Sequence, residues 1–104
     1  TYTIKNGIEI AAEADAPVRV VHEGRVVYAD RFRGYGLLVV VDHGGKHYSL
    51  YGQLAELLVS NGQDVPAGTV LGRADAAGPD GPGVYFEMRY QGRPEDPELW
   101  LAKP

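Results

Sequence analysis

Gly36-Leu37-Leu38-Val39-Val40-Val41-Asp42, then His43-Gly44-Gly45-Lys46, then His47-Tyr48-Ser49-Leu50-Tyr51-Gly52: the reading of this run decides the fold class. The first segment is almost wholly apolar, as expected of a strand covered on both faces. The second carries the glycines of a tight turn, and the third returns with alternating side chains, so the whole reads as an antiparallel hairpin. Its core, Leu37 to Val41, is the longest uninterrupted apolar run in the chain. A bilayer needs about 20 such residues, so no membrane span is expected.

The same punctuation continues outward in both directions. With 14 glycines and 7 prolines in 104 residues, short β-branched or aromatic runs alternate with turn residues. Pro17 to Val21 and Gly24 to Arg33 read as strands joined by a turn at His22-Glu23-Gly24. Thr69 to Ala74 and Gly83 to Tyr90 read as two more, separated by the loop Ala76 to Gly83. Only Gln53 to Ser60 has a helical flavour, too brief for more than a turn or two. The terminal Leu99-Trp100-Leu101 is expected to plug an open barrel or sandwich end. No linker or composition shift divides the chain, so residues 1–104 read as one mainly β domain.

The net charge is −4 and the ten basic residues are scattered, which argues against a nucleic-acid partner or an anionic membrane surface. There is no cysteine, hence no disulfide and no thiolate metal site. Thr1 opens the chain without a basic, apolar, small-residue leader, so targeting is not legible there, and a piece of a longer protein would look the same.

Several ordered segments together resemble the LytM/lysostaphin family of peptidoglycan endopeptidases. They are Gly7-Ile8-Glu9-Ile10, Ala16-Pro17-Val18, Gly24 to Ala29, Gly34-Tyr35-Gly36, Asp42-His43-Gly44, Ser49-Leu50-Tyr51, Gly62-Gln63-Asp64-Val65 and Tyr85-Phe86-Glu87-Met88-Arg89. The resemblance implies a single β-barrel or sandwich with the duplicated hybrid motif and at most one short helix. Active members of the family carry His-x-Gly-x-Asp, Tyr-x-His-Leu and His-x-His motifs that hold zinc and its assisting histidines. Here the first ligand falls on Lys5, the carboxylate on Glu9, the middle motif on Tyr51-Gly52-Gln53-Leu54 and the last on Gly83-Val84-Tyr85. A cation, an amide, a glycine and a protonated phenol do not make a tetrahedral zinc site. No cofactor is expected, and no peptidase activity.

The departures, with Gly34 to Val41 and Pro97-Glu98-Leu99-Trp100-Leu101, are most similar to the EnvC-type activators of cell-wall amidases. That resemblance implies a periplasmic protein whose degenerate cleft binds the regulatory helix of a zinc-dependent N-acetylmuramoyl-L-alanine amidase in septal peptidoglycan cleavage. It also implies an N-terminal coiled coil, absent from this chain, that regulates access. The expected groove holds Tyr35, Leu38, Tyr51, Tyr85 and Arg89, with Lys5, Asn6 and Glu9 on its rim. Tyrosine and arginine concentrate interface energy, and a helix in a groove is a familiar recognition mode.

Plainer readings stand beside these. Tyr51 and Tyr85 read equally as core-edge packing, and Arg89 as a surface pair with Glu87. Between its glycines Tyr35 reads as an exposed turn apex. His22 reads as solvated, and a two-residue turn would set Asp42 across from His47 as a polar pair rather than a metal site. The rival functions are a passive peptidoglycan-binding module and an atypical zinc endopeptidase built from Glu9 and the histidines. The phosphocarrier barrels of sugar transport have a similar sheet, but the chain lacks their paired histidines.

Overall fold

The computed structural model describes residues 7–75 and 83–95, and among these it contains strands and turns but no helix. Nine strands follow in chain order: β1 (Ile8–Ala11), β2 (Pro17–Arg19), β3 (Gly24–Phe32), β4 (Gly36–Gly44), β5 (His47–Leu57), β6 (Asp64–Val65), β7 (Val70–Ala74), β8 (Gly83–Tyr90) and β9 (Arg93–Glu95). Every pairing is antiparallel. The spatial order is β1-β8-β5-β4-β3-β6, with β9 beside β8, and β7 joined to both β5 and β2. The expected 76–83 loop (but for Gly83) and the terminal Leu99-Trp100-Leu101 cluster lie outside the described residues.

The hairpin that decides the fold class forms as its sequence dictates. Gly45 and Lys46 both take positive φ, 60° and 67°, the twist that suits a two-residue turn between right-twisted strands. Along β4, Val39 and Val41 point into the main core while Leu38 and Val40 point to the other face. A strand apolar on both sides therefore has two apolar layers to fill. The main layer also gathers Val18, Val20, Val65, Leu71 and Ala74 from around β2, β6 and β7. The smaller one holds Tyr35, Leu38, Leu50 and Tyr85, flanked by Tyr28, Val40 and Tyr48.

Register shifts decide which side chain faces which layer, since one extra residue reverses the alternation, and three of them fall in the β3–β4 and β4–β5 pairs. The register of β3 on β4 shifts between Val26 and Tyr28, so Val26 enters the main core while Tyr28 flanks the outer layer. In the β4–β5 pair the register shifts between Leu37 and Val39, setting Gly52 and Gln53 against Leu38. The third shift falls between Asp42 and Gly44.

The helical reading of Gln53 to Ser60 is overturned: β5 continues through Leu57. Leu54 pairs with both Leu37 and Ala74, and Glu56 with Arg73, so two neighbouring strands supply the backbone partners a helix would have found internally. Gln53 absorbs the bend at φ 60°. The Asp42–His47 pairing is likewise corrected. Because the turn sits at Gly45-Lys46, Gly44 faces His47 and Asp42 faces Tyr48.

Candidate functional site

Alternation along β8 sends Tyr85, Glu87 and Arg89 to the outer face and Val84, Phe86 and Met88 to the main core. Their partners on β5 are Gly52, Leu50 and Tyr48. Gly52 forms a flat floor. A Cβ there would lie 3.2 Å from the Tyr35 carbonyl oxygen and 3.5 Å from ring carbons of both Tyr35 and Tyr85. The tyrosines consequently settle over bare backbone, ring centroids 5.4 Å apart. The stack continues outward through Phe32, 5.8 Å from Tyr35, to Tyr28, 5.7 Å further on and edge-to-face.

Glu87 lies beneath these rings, fully buried at 0% exposure. The Tyr85 hydroxyl donates to its Oε1 at 2.7 Å and the Tyr35 hydroxyl to the same oxygen at 3.4 Å. The Arg89 guanidinium donates to Oε2 and carries the network to the surface, with its side chain a third exposed. A buried carboxylate is tolerable only when paired and hydrogen-bonded in this way. Burial first, then the hydrogen bond and charge of Glu87, push the Tyr85 phenol far above the ordinary tyrosine value. Burial and the charge of Glu87 raise Tyr35 as well. Both rings keep their protons at neutral pH and act as donors.

The structure thus gathers Tyr35, Leu38, Tyr85 and Arg89 on one face, and Glu9 joins them at the edge. Glu9 sits opposite Tyr85 in the β1–β8 register, exposed, and accepts a 3.4 Å hydrogen bond from Gln53 Nε2. Lys5 and Asn6 lie outside the described residues. Three expectations change. Tyr51 leaves the set: it pairs with Phe86, and its ring lies in the main core, 2% exposed. Tyr35 is not an exposed apex, since its ring folds back to 9% exposure and leaves Phe32, at 48%, as the accessible aromatic. Arg89–Glu87 is not a surface bridge, because its carboxylate is wholly buried.

Sequence reasoning did not give Glu87 its role. The signal was present in the spacing of two between Tyr85, Glu87 and Arg89, which puts them on one face of a strand. Phe32 carried no comparable signal.

The histidines lie apart from this face. His22 is exposed in the turn after β2. His47 stacks on Tyr90 at 4.5 Å. Tyr90 is five residues along β8 from Tyr85, about 17 Å at strand rise, so His47 and Glu9 cannot share an ion. His43 faces Ser49 on the core side, 2.6 Å from Nε2 to the Ser49 hydroxyl.

Zinc, which the fold implies, does not fit the residues present. Glu9 offers one exposed carboxylate, Gln53 an amide and Gly83 nothing, while the Tyr85 proton is committed to Glu87. Among the described residues, no three His, Cys, Asp or Glu side chains group so as to hold a metal.

The all-antiparallel strand arrangement and the outer face it carries have a counterpart among known proteins: the chain belongs to peptidase family M23, whose family model matches residues 3–97. Among curated relatives it is similar to the murein hydrolase activator EnvC of Escherichia coli, 42% identical over 98 residues, covering 93% of this chain and 23% of that protein. It is also similar to the lipoprotein NlpD/LppB homolog of Pseudomonas aeruginosa, 38% identical over 102 residues, covering 97% of this chain and 34% of that protein. The chain therefore spans about a third or less of these relatives. Among solved structures, a putative peptidase M23 from Pseudomonas aeruginosa superposes with a TM-score of 0.85 at 30% identity, covering 92% of this chain and 43% of that one.

Proposed function

We propose that this domain is a non-catalytic activator of a zinc-dependent N-acetylmuramoyl-L-alanine amidase in septal peptidoglycan cleavage, acting in the periplasm by docking the amidase regulatory helix on its outer face. One observation carries the reading. Where a catalytic relative holds zinc and its histidines, this chain has Glu9, Gln53, Gly83 and Tyr85, and the phenol proton of Tyr85 is already donated to Glu87. Neither a metal-bound water nor a free imidazole base can form from that set. The Escherichia coli relative is a murein hydrolase activator by name, which supports binding over cutting.

Tyr35, Leu38 and Tyr85 form the packed base of the outer face, too buried to be its main contact area. The helix meets the accessible rim: the Phe32 ring, the outer part of Arg89, and Glu9. Phe32 supplies apolar area and Arg89 a planar fork, the two kinds of anchor that dominate interfaces.

Purified domain and amidase are mixed on dye-labelled sacculi. Dye release requires both proteins, and Phe32→Ala and Arg89→Ala each raise the half-maximal domain concentration by about tenfold. Undiminished activation by both variants moves the contact surface elsewhere. Release by the domain alone restores an enzyme, and sacculus binding with no effect on the amidase leaves a passive wall-binding module.

A further inference from the structure

Two clefts lie away from the outer face. One, about 700 Å³, is lined by Glu23, Arg25, Asp42, His43 and Asp64 among others. The other, about 190 Å³ and mainly apolar, is lined by Val18, Val21, Tyr51, Val84 and Phe86 among others. A single file of hydrogen bonds connects them. His43 Nδ1 lies 2.9 Å from the Glu23 carbonyl oxygen, and His43 Nε2 lies 2.6 Å from the Ser49 hydroxyl. Ser49 and Tyr51 share a 2.7 Å hydroxyl–hydroxyl bond, and the Val21 amide donates to the Tyr51 oxygen at 3.1 Å. Ser49 is fully buried and Tyr51 nearly so, and burial pushes the Tyr51 phenol up to about 12.

The chemistry of each atom sets the polarity of the file. A carbonyl oxygen only accepts, so His43 Nδ1 carries a hydrogen in either charge state. With Ser49 as donor the 2.7 Å bond runs from Ser49 to Tyr51. When His43 is neutral, Nε2 has a lone pair to which the rotatable Ser49 hydroxyl donates instead, the same bond then runs from Tyr51 to Ser49, and the Val21 amide donates to Tyr51. Every hydrogen then has one acceptor. When His43 is charged, Nε2 donates instead, Ser49 turns to donate to Tyr51, and the Tyr51 oxygen receives both Ser49 and Val21. The Tyr51 hydrogen must then swing out of the file, and the cavity beside it is apolar.

We propose that His43 is a proton sensor and that Ser49 and Tyr51 relay its charge, by reversing hydrogen-bond direction, to the cavity lined by Val21 and Tyr51. The ligand class is the proton on one side and water or another small hydrogen-bond acceptor on the other. The charged and titratable groups around His43 are His22, whose ring is 5.9 Å away, with Asp42 and His47 on the hairpin and Glu23, Arg25 and Asp64 around the cleft. Burial, the largest influence on His43, holds its pKa below the ordinary 6.5, against the hydrogen bond to the Glu23 carbonyl, which raises it.

The test is an NMR titration that follows the three imidazoles and the Val21 amide. In the unaltered chain, Val21 moves with the His43 midpoint, and it still does so in His22→Asn, which removes the titrating neighbour in sequence. In Ser49→Ala the His43 midpoint rises and the Val21 response is lost; in Tyr51→Phe the Val21 response alone is lost. A Val21 response that follows His22, or that survives Ser49→Ala, overturns the relay. The unaltered chain decides the first of these alone, whatever the variants do to folding, and none of these outcomes depends on an amidase.

Discussion

Glu87 is fully buried, and its carboxylate meets two phenol donors and one guanidinium. Truncation by Glu87→Ala removes the carboxylate to which Tyr35, Tyr85 and Arg89 all donate, while Arg89 keeps the Gly92 carbonyl oxygen at 3.4 Å. Arg89 reaches water, so the cost falls on the two hydroxyls and on the cavity. A loss of about 2–3 kcal/mol in urea unfolding is expected, against about 1 kcal/mol for Tyr85→Phe. His43 adds a pH dependence whose sign is definite. Its folded pKa lies below the unfolded 6.5, so the unfolded chain binds more protons in that window. Stability attributable to His43 is complete above pH 6.5 and declines as pH falls below it toward the folded value. Urea midpoints of the unaltered chain and His43→Asn should converge as the pH drops from 7.5 toward 5.

At the scale of strands, the bulge in β3 is the decisive local feature. Val26 is fully buried in the main core while Tyr28 flanks the outer layer, and half-exposed Val27 lies between them. Deleting Val27, the extra residue, would leave Val26 and Tyr28 consecutive and still opposite Val41 and Val40, so pairing and facing are kept. Inserting one residue between Ala29 and Asp30 would instead put the far end of β3 out of phase with β4. The insertion variant should lose its cooperative melt, whereas the Val27 deletion should keep it, and Val27→Thr, which keeps the count, should melt within a few degrees of the unaltered chain. The β8–β9 turn permits a milder test. Gln91 holds φ 53° before Gly92 at φ 78°, and asparagine tolerates that region better than glutamine. Gln91→Asn should raise the thermal midpoint, by a few tenths of a kcal/mol in stability. Such bulges explain why strand positions were legible and facings were not. Pro17–Arg19, Gly24–Phe32 and Gly36–Gly44 appear where turn residues and apolar runs place them, but the opposite facings of Tyr51 and Tyr85 depend on partner strands.

For the molecule as a whole, the proposed non-catalytic role predicts indifference to metal. A ligand held at a hundred times its Kd adds about 2.7 kcal/mol, several degrees for a domain of this size. Neither zinc nor a chelator should move the melting curve upward or downward by such an amount. An upward shift with zinc that is lost in Glu9→Gln would restore a metal site.

The amino-acid sequence by itself determined that the chain is strand-rich and that β4 is apolar on both sides. Those are properties of residue type and order, which need no partner strand to be read. Only the tertiary structure decided that Tyr85 and Tyr51 face opposite layers, that Tyr35 folds inward and leaves Phe32 accessible, and that Glu87 is buried beneath them. Side-chain facing is a parity counted along a strand, and each inserted residue reverses it. Where those insertions fall is set by pairing with neighbouring strands, as between Val26 and Val41 or Leu54 and Ala74.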